Sequence, residues 1–319
     1  MDIYVYILPV FIVTGTIGNV LTMAVYYRKP QRSFSIGLYL FVYSIENTLI
    51  LFLVYGSSWI AQVTPYPEAE NLSDWGCRVA QYTYRMVMHC GIWILVSMTL
   101  DRYIYVCHPH RATDFCKVFT SKAALILIVI GVTVVSIHAM WTYELRDGHC
   151  LPLLQSLHYV IWNWFSASCL SFVPLLLLFV LDMLLVVGLC TRRSGTDNIG
   201  TDLTNTVLGL SLIYLILALP ATIVNIIYYI MPGSSFANAD FIQGLKHATS
   251  VSNFMSCGNQ TVIFIVCVTF SSSFRLELKK LILCCRSKND KTVSSELTLL
   301  TTIKDVHVEH LSNDNETRV

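Results

Sequence analysis

Seven stretches of the chain are each long and apolar enough to cross a lipid bilayer. The hydrocarbon core of a bilayer is about 30 Å thick, which requires roughly 20 apolar residues of helix. A backbone that faces lipid must satisfy its own hydrogen bonds, so these stretches are predicted to be helices and not open strands. The predicted spans cover about Ile3–Tyr27, Ser35–Ala61, Cys77–Cys107, Phe119–Trp141, Leu157–Cys190, Leu203–Met231 and Phe241–Phe270.

The composition indicates that lipid surrounds much of the protein. Hydrophobic residues make up 55% of the 319 residues and charged residues only 13%, whereas soluble domains carry about 25% charged residues. The net charge of +1 gives no reason to expect a nucleic-acid partner. The first apolar stretch lacks the flanks of a cleaved signal peptide, so it is expected to be the first span itself.

The sequence holds no pattern that predicts catalysis. It contains no metal-ligand cluster, nucleophile elbow or phosphate-binding loop. We therefore expect a protein that is not an enzyme and that needs neither a cofactor nor a metal ion.

The connections between the spans alternate in charge, and this predicts the orientation in the membrane. Positive residues mark the cytoplasmic side. They follow the first, third, fifth and seventh spans, whereas the other connections are mainly acidic. We expect a multi-pass plasma-membrane protein with an extracellular N-terminus and a cytoplasmic C-terminus. The basic residues include Arg28, Arg32, Arg111, Lys117, Arg192, Arg193, Arg275 and Lys279, and the acidic ones Glu68, Glu70, Asp74, Glu144, Asp147 and Asp240.

Asn71-Leu72-Ser73 forms the Asn-x-Ser sequon of N-glycosylation. It lies on the predicted outer side, where the glycosylation machinery acts. The sequence therefore predicts a glycan on Asn71, with a chance occurrence of the triplet as the alternative.

The third span ends in Asp101-Arg102-Tyr103, a charged triplet at a membrane boundary, where charges are costly and usually functional. The triplet resembles the Asp-Arg-Tyr motif of helix 3 in rhodopsin-like (class A) G-protein-coupled receptors, which are all-α bundles of seven transmembrane helices. The resemblance implies that Asp101 pairs with Arg102 at rest and that activation releases Arg102 toward a heterotrimeric G protein. The alternative is an interfacial arginine that reaches the lipid headgroups.

Other positions match the same family at the expected spacing. The resemblance implies a disulfide between Cys77, at the start of helix 3, and Cys150, in the second outer loop, where the environment is oxidising. It also implies structural roles at landmark positions of helices 1, 2, 5 and 6. These positions are Gly18, Asn19, Asn47, Pro174 and Pro220.

The chain beyond the seventh span resembles the family in one further element. Residues 274–280 are similar to the short amphipathic helix 8, and Cys284 and Cys285 after it are predicted palmitoylation sites that would contact membrane lipids. We expect residues 1–285 to form the receptor domain.

Residues 286–319 are polar and rich in Ser and Thr, which predicts a disordered cytoplasmic tail. By family resemblance, phosphorylation of this tail would recruit arrestin. The terminal Thr317-Arg318-Val319 is similar to a ligand of PDZ domains, which bind such tails at a sheet edge. A chance match of so short a motif is the alternative.

Several residues that switch the family between its states are missing. Asn47 stands where an acidic residue of helix 2 would hold sodium, and Glu46 beside it points about 100° away. A neutral amide is a poorer ligand for a hard cation, so the sodium site is in doubt. Either another network couples the two faces of the bundle, or signalling is altered or lost. The further departures are Leu217-Ala218-Leu219 before Pro220, residues 263–267 in helix 7, and Asp182 in helix 5.

The resemblance places a ligand between the outer halves of helices 3, 5, 6 and 7. Arg85 is the most informative residue there, because a buried cation needs an anion or several acceptors. It indicates an acidic group on the ligand, and the alternative is an internal partner such as a loop acid or carbonyl groups. The predicted ligand-binding residues are Tyr84, Arg85, Met88, Trp162, Ser166, Thr222, Asn225 and Asn253.

Two ligand classes are disfavoured. Tyr84 stands at the helix-3 position where amine receptors carry an acid, and Cys257 stands where an opsin needs its lysine. His89 is interpreted as a packing residue.

Residues 35–40, 45–49, 138–143 and 171–174 resemble invertebrate FMRFamide-type neuropeptide receptors. This resemblance implies a peptide ligand. The alternatives are a chemosensory receptor for small organic molecules, a non-signalling membrane binding or scaffold protein, and a transporter. The transporter is disfavoured because the two halves show no internal repeat.

Overall fold

The chain forms a bundle of long helices. A computed structural model describes residues 2–28, 31–65, 67–153, 157–191, 198–230 and 239–283. Helices α2 and α5 each contain a π-helical turn, at Leu51–Gly56 and at Ser168–Phe172. The helices are α1 (Asp2–Tyr27), α2 (Ser35–Ile50 continuing through Ser57–Val63), α3 (Asp74–Cys107), α4 (Val118–Ser136), α5 (Leu157–Ala167 continuing through Val173–Thr191), α6 (Asn198–Ile230) and α7 (Ala239–Asn259 followed by Ile263–Phe270).

Within the described residues, six helices are long and apolar enough to cross a membrane, and the two parts of α7 make a seventh span bent by 48°. The predicted all-α, seven-helix class is therefore confirmed. Helix α3 begins at Asp74 and not at Cys77, because the Ser73 hydroxyl accepts a hydrogen bond from the Gly76 N–H at 2.9 Å. A serine at this position satisfies a donor that the first helical turn leaves unpaired.

Helix α3 lies at the centre of the bundle and packs against α2, α4, α5 and α6. Large apolar side chains such as Leu127, Leu176 and Ile216 are exposed on the outer helices. This arrangement is expected in lipid, because the hydrophobic effect does not drive apolar side chains into the bundle when the surroundings are themselves apolar.

The connection between α4 and α5 contains a β-hairpin that the sequence analysis did not predict. Strand β1 (Tyr143–Arg146) pairs antiparallel with β2 (His149–Pro152). Asp147 and Gly148 form the turn with φ values of 52° and 75°. Such positive angles match the twist of a two-residue hairpin turn, and Asp-Gly is a strong sequence signal for it.

The predicted disulfide is confirmed and fastens this hairpin to the top of α3. The Cα atoms of Cys77 and Cys150 are 5.3 Å apart. Two side chains also support the hairpin, one from the loop before α3 and one from the first turn of α3. Asn71 Oδ1 accepts a hydrogen bond from the Cys150 N–H at 2.8 Å, and Asp74 Oδ1 accepts one from the Leu145 N–H at 3.1 Å.

Pro174 explains the π-helical turn of α5. Proline has no N–H, so the Leu170 carbonyl loses its usual helical partner, and the ladder continues with a longer bond. The Val173 N–H donates to the Ser168 carbonyl, five residues back. The turn therefore holds one extra residue and rotates the outer part of α5 relative to a regular helix.

The chain divides into two units, Met1–Ser272 and Ser273–Val319. Residues 272–283 are helical, at the place where the resemblance implies helix 8. The predicted palmitoylation sites Cys284 and Cys285, the tail at residues 286–319 and its terminal Thr317 and Val319 lie outside the described residues.

Candidate functional site

A cavity of about 400 Å³ opens between α3, α5, α6 and α7, with the hairpin residue Tyr143 in its wall. This volume lies within the range of small-molecule sites. Five of the predicted ligand-binding residues line it, namely Tyr84, Arg85, Met88, Ser166 and Thr222. The polar lining residues that the sequence analysis did not select are Gln81, His89, Tyr143, Asn163, Ser171, Tyr214 and Ser256.

Arg85 and Tyr143 join the helical wall to the hairpin. Arg85 donates a hydrogen bond to the Tyr143 hydroxyl at 2.5 Å, and its guanidinium carbon lies 5.3 Å from the Tyr143 ring centre. The geometry therefore agrees with both interpretations of Arg85. Tyr143 is an internal partner, and the side chain also faces the cavity, where an acidic group of a ligand would meet it.

The charge of the lining is unbalanced. Among the described lining residues, Arg85 carries the permanent charge and none is an Asp, Glu or Lys. A site of this kind opposes an ammonium group and favours an anion, because an opposite charge reduces the cost of burying Arg85.

His89 links α3 to the π-helical turn of α5. Its Nδ1 lies 2.5 Å from the Arg85 carbonyl oxygen, and its Nε2 lies 3.5 Å from the Ser171 hydroxyl. A carbonyl can only accept, so Nδ1 carries a proton, and in a neutral ring Nε2 accepts from Ser171. His89 thus has a packing role, as interpreted, and also forms part of the cavity wall.

Two predicted ligand residues need correction. Trp162 does not line the cavity but packs against Trp141 and stacks on His138 with ring centres 6.1 Å apart. Asn163, the next residue and about 100° further round the helix, faces the cavity instead.

Asn253 is exposed on the outside of α7, and Ser256 faces the cavity. The two positions are three residues apart, which corresponds to about 300° of helix, so Asn253 points about 60° away from the direction of Ser256. The side chain of Asn225 lies outside the described residues.

The C-terminal end of α3 contains a buried ion pair. Arg102 Nε donates to Asp101 Oδ2 at 3.1 Å, and a terminal nitrogen of Arg102 pairs with the same oxygen. The Ser35 hydroxyl donates to this oxygen at 3.2 Å, and the Tyr105 ring lies 4.7 Å from the guanidinium carbon. Arg102 is 4% exposed, so it is covered on several sides in this conformation.

Two neighbours of this pair lie near or in the connection between α3 and α4. Tyr103 contacts the His108 ring, with ring centres 5.5 Å apart. The Cys116 thiol donates to the Asp101 carbonyl at 3.4 Å, and burial raises its pKa to about 12. Cys116 therefore remains a thiol at neutral pH.

The landmark residues of α1 and α7 lie in contact. A Cβ on Gly18 would come within 2.9 Å of the Phe264 Cβ, so glycine allows the two helices to approach closely. Asn19 Nδ2 donates to the Gln260 carbonyl at 3.2 Å, at the break in α7. Where a helix is broken, such a side chain can satisfy a carbonyl that the ladder has lost.

Glu46 and Asn47 are both buried in α2, although they point in different directions. The Glu46 carboxyl lies against Gly91 of α3, where a Cβ would be only 2.6 Å from Oε1. Within the described part of the chain, the polar side-chain atoms of both residues are buried without a hydrogen-bond partner.

Comparison with known proteins agrees with this architecture. The family model of the 7 transmembrane receptor (rhodopsin family) matches residues 18–274, which is most of the chain. The chain is similar to G-protein coupled receptor 15 of Mus musculus, with 23% identity over 207 residues, covering 60% of this chain and 55% of that receptor.

It is also similar to a probable G-protein coupled receptor of Caenorhabditis elegans, with 21% identity over 218 residues, covering 60% and 48% of the two chains. The chain thus spans about half the length of these curated relatives. The matched family consists of multi-pass membrane receptors that are not enzymes. On the evidence of the family match, the disulfide and the helical bundle, this chain belongs to the rhodopsin family of seven-transmembrane receptors.

Proposed function

We propose that this receptor transmits the binding of an extracellular neuropeptide to a heterotrimeric G protein inside the cell. The observation that carries the proposal is that one helix connects a cavity to a buried arginine. Arg85 faces the cavity and Arg102 forms the inner ion pair, both on α3. At a rise of 1.5 Å per residue they are about 26 Å apart.

The ligand is proposed to carry an acidic group that binds Arg85. The net positive lining supports this choice, and so does the likeness of residues 138–143 and 171–174 to FMRFamide-type receptors. A cavity of about 400 Å³ is small for a whole peptide. One end of the peptide would therefore enter it, and the remainder would contact the outer loops.

Activation is proposed to be a shift between two populations. A ligand changes the equilibrium only by its difference in affinity for the two states. Contacts with Arg85, Thr222 and Ser166 join α3, α6 and α5, so a ligand that fits a rearranged cavity would favour outward movement of inner α6. Arg102 would then leave Asp101 and meet the G protein.

The remaining predictions complete the proposal. The N-terminus would be extracellular, Asn71 would carry a glycan, and Cys284 and Cys285 would be palmitoylated. Residues 286–319 would form a tail separate from a receptor domain at 1–285. Phosphorylation of the tail would recruit arrestin, and Thr317 with Val319 would bind a PDZ-domain protein.

A second function, a chemosensory receptor for small organic molecules, is favoured by the modest cavity volume and by the contact of Tyr143 with Arg85. Both functions use the same fold and differ in the size of the ligand. A non-signalling scaffold would account for the missing switch residues in α6 and α7.

The test is G-protein dissociation in living cells that express the receptor, before and after addition of short amidated and free-acid peptides and small carboxylates. Arg102→Ala and Arg85→Ala would be compared at matched surface expression with Arg146→Ala, which removes an exposed arginine of the hairpin. A peptide response that is lost in both test variants and kept in the control supports the proposal.

A response that persists in Arg85→Ala would exclude the arginine site. A response to carboxylates alone would favour the chemosensory function. Silence across the panel at normal surface expression would favour a non-signalling role.

A further inference from the structure

The inner half of α6 is held on two sides by hydrogen bonds between an aspartate and a serine. We propose that Asp182–Ser211 and Asp202–Ser272 together form a clamp that keeps α6 against α5 and the end of α7, and that these residues position α6 before activation. The clamp is a property of the bundle itself, and only its role in activation rests on the proposed function.

The first pair lies inside the membrane span. Ser211 on α6 donates to Asp182 Oδ1 on α5 at 2.7 Å, and both residues are fully buried. An acidic side chain at this depth is costly and usually has a specific partner. Asp182 Oδ2 is buried without a hydrogen-bond partner among the described residues. Movement of α6 away from α5 would leave the whole carboxyl without a partner, so this pair opposes opening.

The second pair lies at the cytoplasmic end. Asp202 Oδ2 on α6 accepts a hydrogen bond from the Ser272 N–H at 2.9 Å and also pairs with the Ser272 hydroxyl. Ser272 is the first residue of the helical segment 272–283. The first N–H groups of a helix lack internal partners and carry partial positive charge, so a carboxylate is favourable there.

The spacing of the two residues on α6 makes the restraint two-sided. Positions 202 and 211 are separated by about 900° of helical rotation, which places them on opposite faces. One face is held by α5 and the other by the end of α7. Any outward swing of the inner half of α6 must therefore break at least one pair.

Pro220 lies farther out on the same helix. A proline removes one backbone hydrogen bond and is a common site of helix bending. Both aspartate–serine pairs lie on the N-terminal side of Pro220, so they restrain the part of α6 that such a bend would move.

Hydrogen–deuterium exchange of purified full-length receptor, without ligand or G protein, tests the clamp directly. The observed quantity is the exchange rate of the amides of residues 198–211, which reports local opening. The variants are Asp182→Asn/Ser211→Ala, which removes the hydroxyl and the buried charge together, and Asp202→Ala, which removes the carboxylate that accepts from both the N–H and the hydroxyl of Ser272. Thr204→Val is the matched control, because its buried hydroxyl donates to the Gly200 carbonyl within α6.

Loss of the hydrogen bond in the buried pair Asp182–Ser211 is expected to increase local opening on the order of tenfold. Loss of the exposed pair Asp202–Ser272 is expected to increase it about threefold. Exchange should therefore accelerate in both test variants and remain at the natural rate in Thr204→Val. An unchanged rate in either test variant would overturn the two-sided clamp.

General instability would accelerate exchange throughout the protein, including α3 and α4, and would also overturn the proposal. Because no G protein is present, faster exchange in a receptor that never signals would uphold the clamp and contradict the proposed function. Normal signalling with unchanged exchange would contradict the clamp and support the proposed function.

Discussion

The hydroxyl of Tyr143 accepts a hydrogen bond from Arg85 at 2.5 Å, so the hairpin between α4 and α5 contacts the cation of the cavity. The disulfide from Cys150 to Cys77 holds this hairpin at the top of the same helix. Loop and helix therefore form one wall, and a ligand that binds Arg85 must also meet Tyr143.

Substitutions at Arg85 should separate charge from geometry. Arg85→Met is expected to lower the potency of an acidic agonist by about tenfold or more, because a charge-assisted hydrogen bond is worth about 1.5–3 kcal/mol. Arg85→Lys keeps the charge but loses the planar fork, so its loss should be smaller. Tyr143→Phe should also have a smaller effect, since the ring remains. Dose–response curves at matched surface expression would measure this order, and full potency of Arg85→Met would contradict it.

Loss of the disulfide should destabilise the receptor strongly. Cys77 and Cys150 are 73 residues apart, and closure of a loop of that size contributes about 4 kcal/mol in the chain-entropy model. Cys77→Ser/Cys150→Ser should lower the melting temperature and the amount at the cell surface. Cys190→Ser is the control, because Cys190 is exposed and not disulfide-bonded. Equal melting temperatures for the double variant and the natural chain would contradict the expectation.

The sequon at Asn71 can be tested without loss of the helix cap. Ser73→Asp destroys the sequon but leaves a good N-cap for α3, whereas Ser73→Ala destroys both and should cost about 1 kcal/mol more. Ser73→Thr keeps both. A glycosidase-sensitive gel shift should appear for the natural chain and Ser73→Thr alone, and thermal stability should fall most in Ser73→Ala. A shift that survives Ser73→Asp would place the glycan elsewhere.

Gly91 should be intolerant of even one extra methyl group. A Cβ there would be 2.6 Å from Glu46 Oε1, and such overpacking typically costs about 1–3 kcal/mol. Gly91→Ala should therefore lower the melting temperature, and Glu46→Ala should recover part of that loss in the double variant. The coupling from a double-mutant cycle measures the contact. Strictly additive effects would show that the two residues do not interact.

Glu70, which lies outside the predicted spans, is expected to make the stability of the folded protein depend on pH. Burial is the main cause that raises the pKa of its carboxyl above 4.5, although Gln81 Nε2 donates to it at 2.7 Å. The folded state therefore binds the proton more tightly than the unfolded state, and the resulting stability is present below about pH 4.5 and lost as pH rises through the higher folded pKa. Melting temperatures from pH 4 upward should show this decline in the natural chain and less of it in Glu70→Gln. Identical slopes would contradict the assignment.

The sequence was sufficient for the parts of the fold that depend on local pattern. Span length and apolar content predicted the seven helices, and the observed bounds differ from the predicted ones by a few residues. The Asp147-Gly148 pair carried enough information to predict the hairpin but was not used. The direction of Trp162 depends on its packing against His138 and Trp141 of another part of the chain, which no pattern within α5 predicts.

The amino-acid sequence by itself determined how many stretches are long and apolar enough to cross the membrane, where each lies to within a few residues, and which family landmarks the chain carries. These properties follow from apolar length and short motifs, which act within one segment. Only the tertiary structure decided that Arg85 meets Tyr143, Glu46 meets Gly91, and Asp182 meets Ser211. Each of these contacts depends on the rotation and depth of two helices relative to each other, and those are set by the packing of the whole bundle.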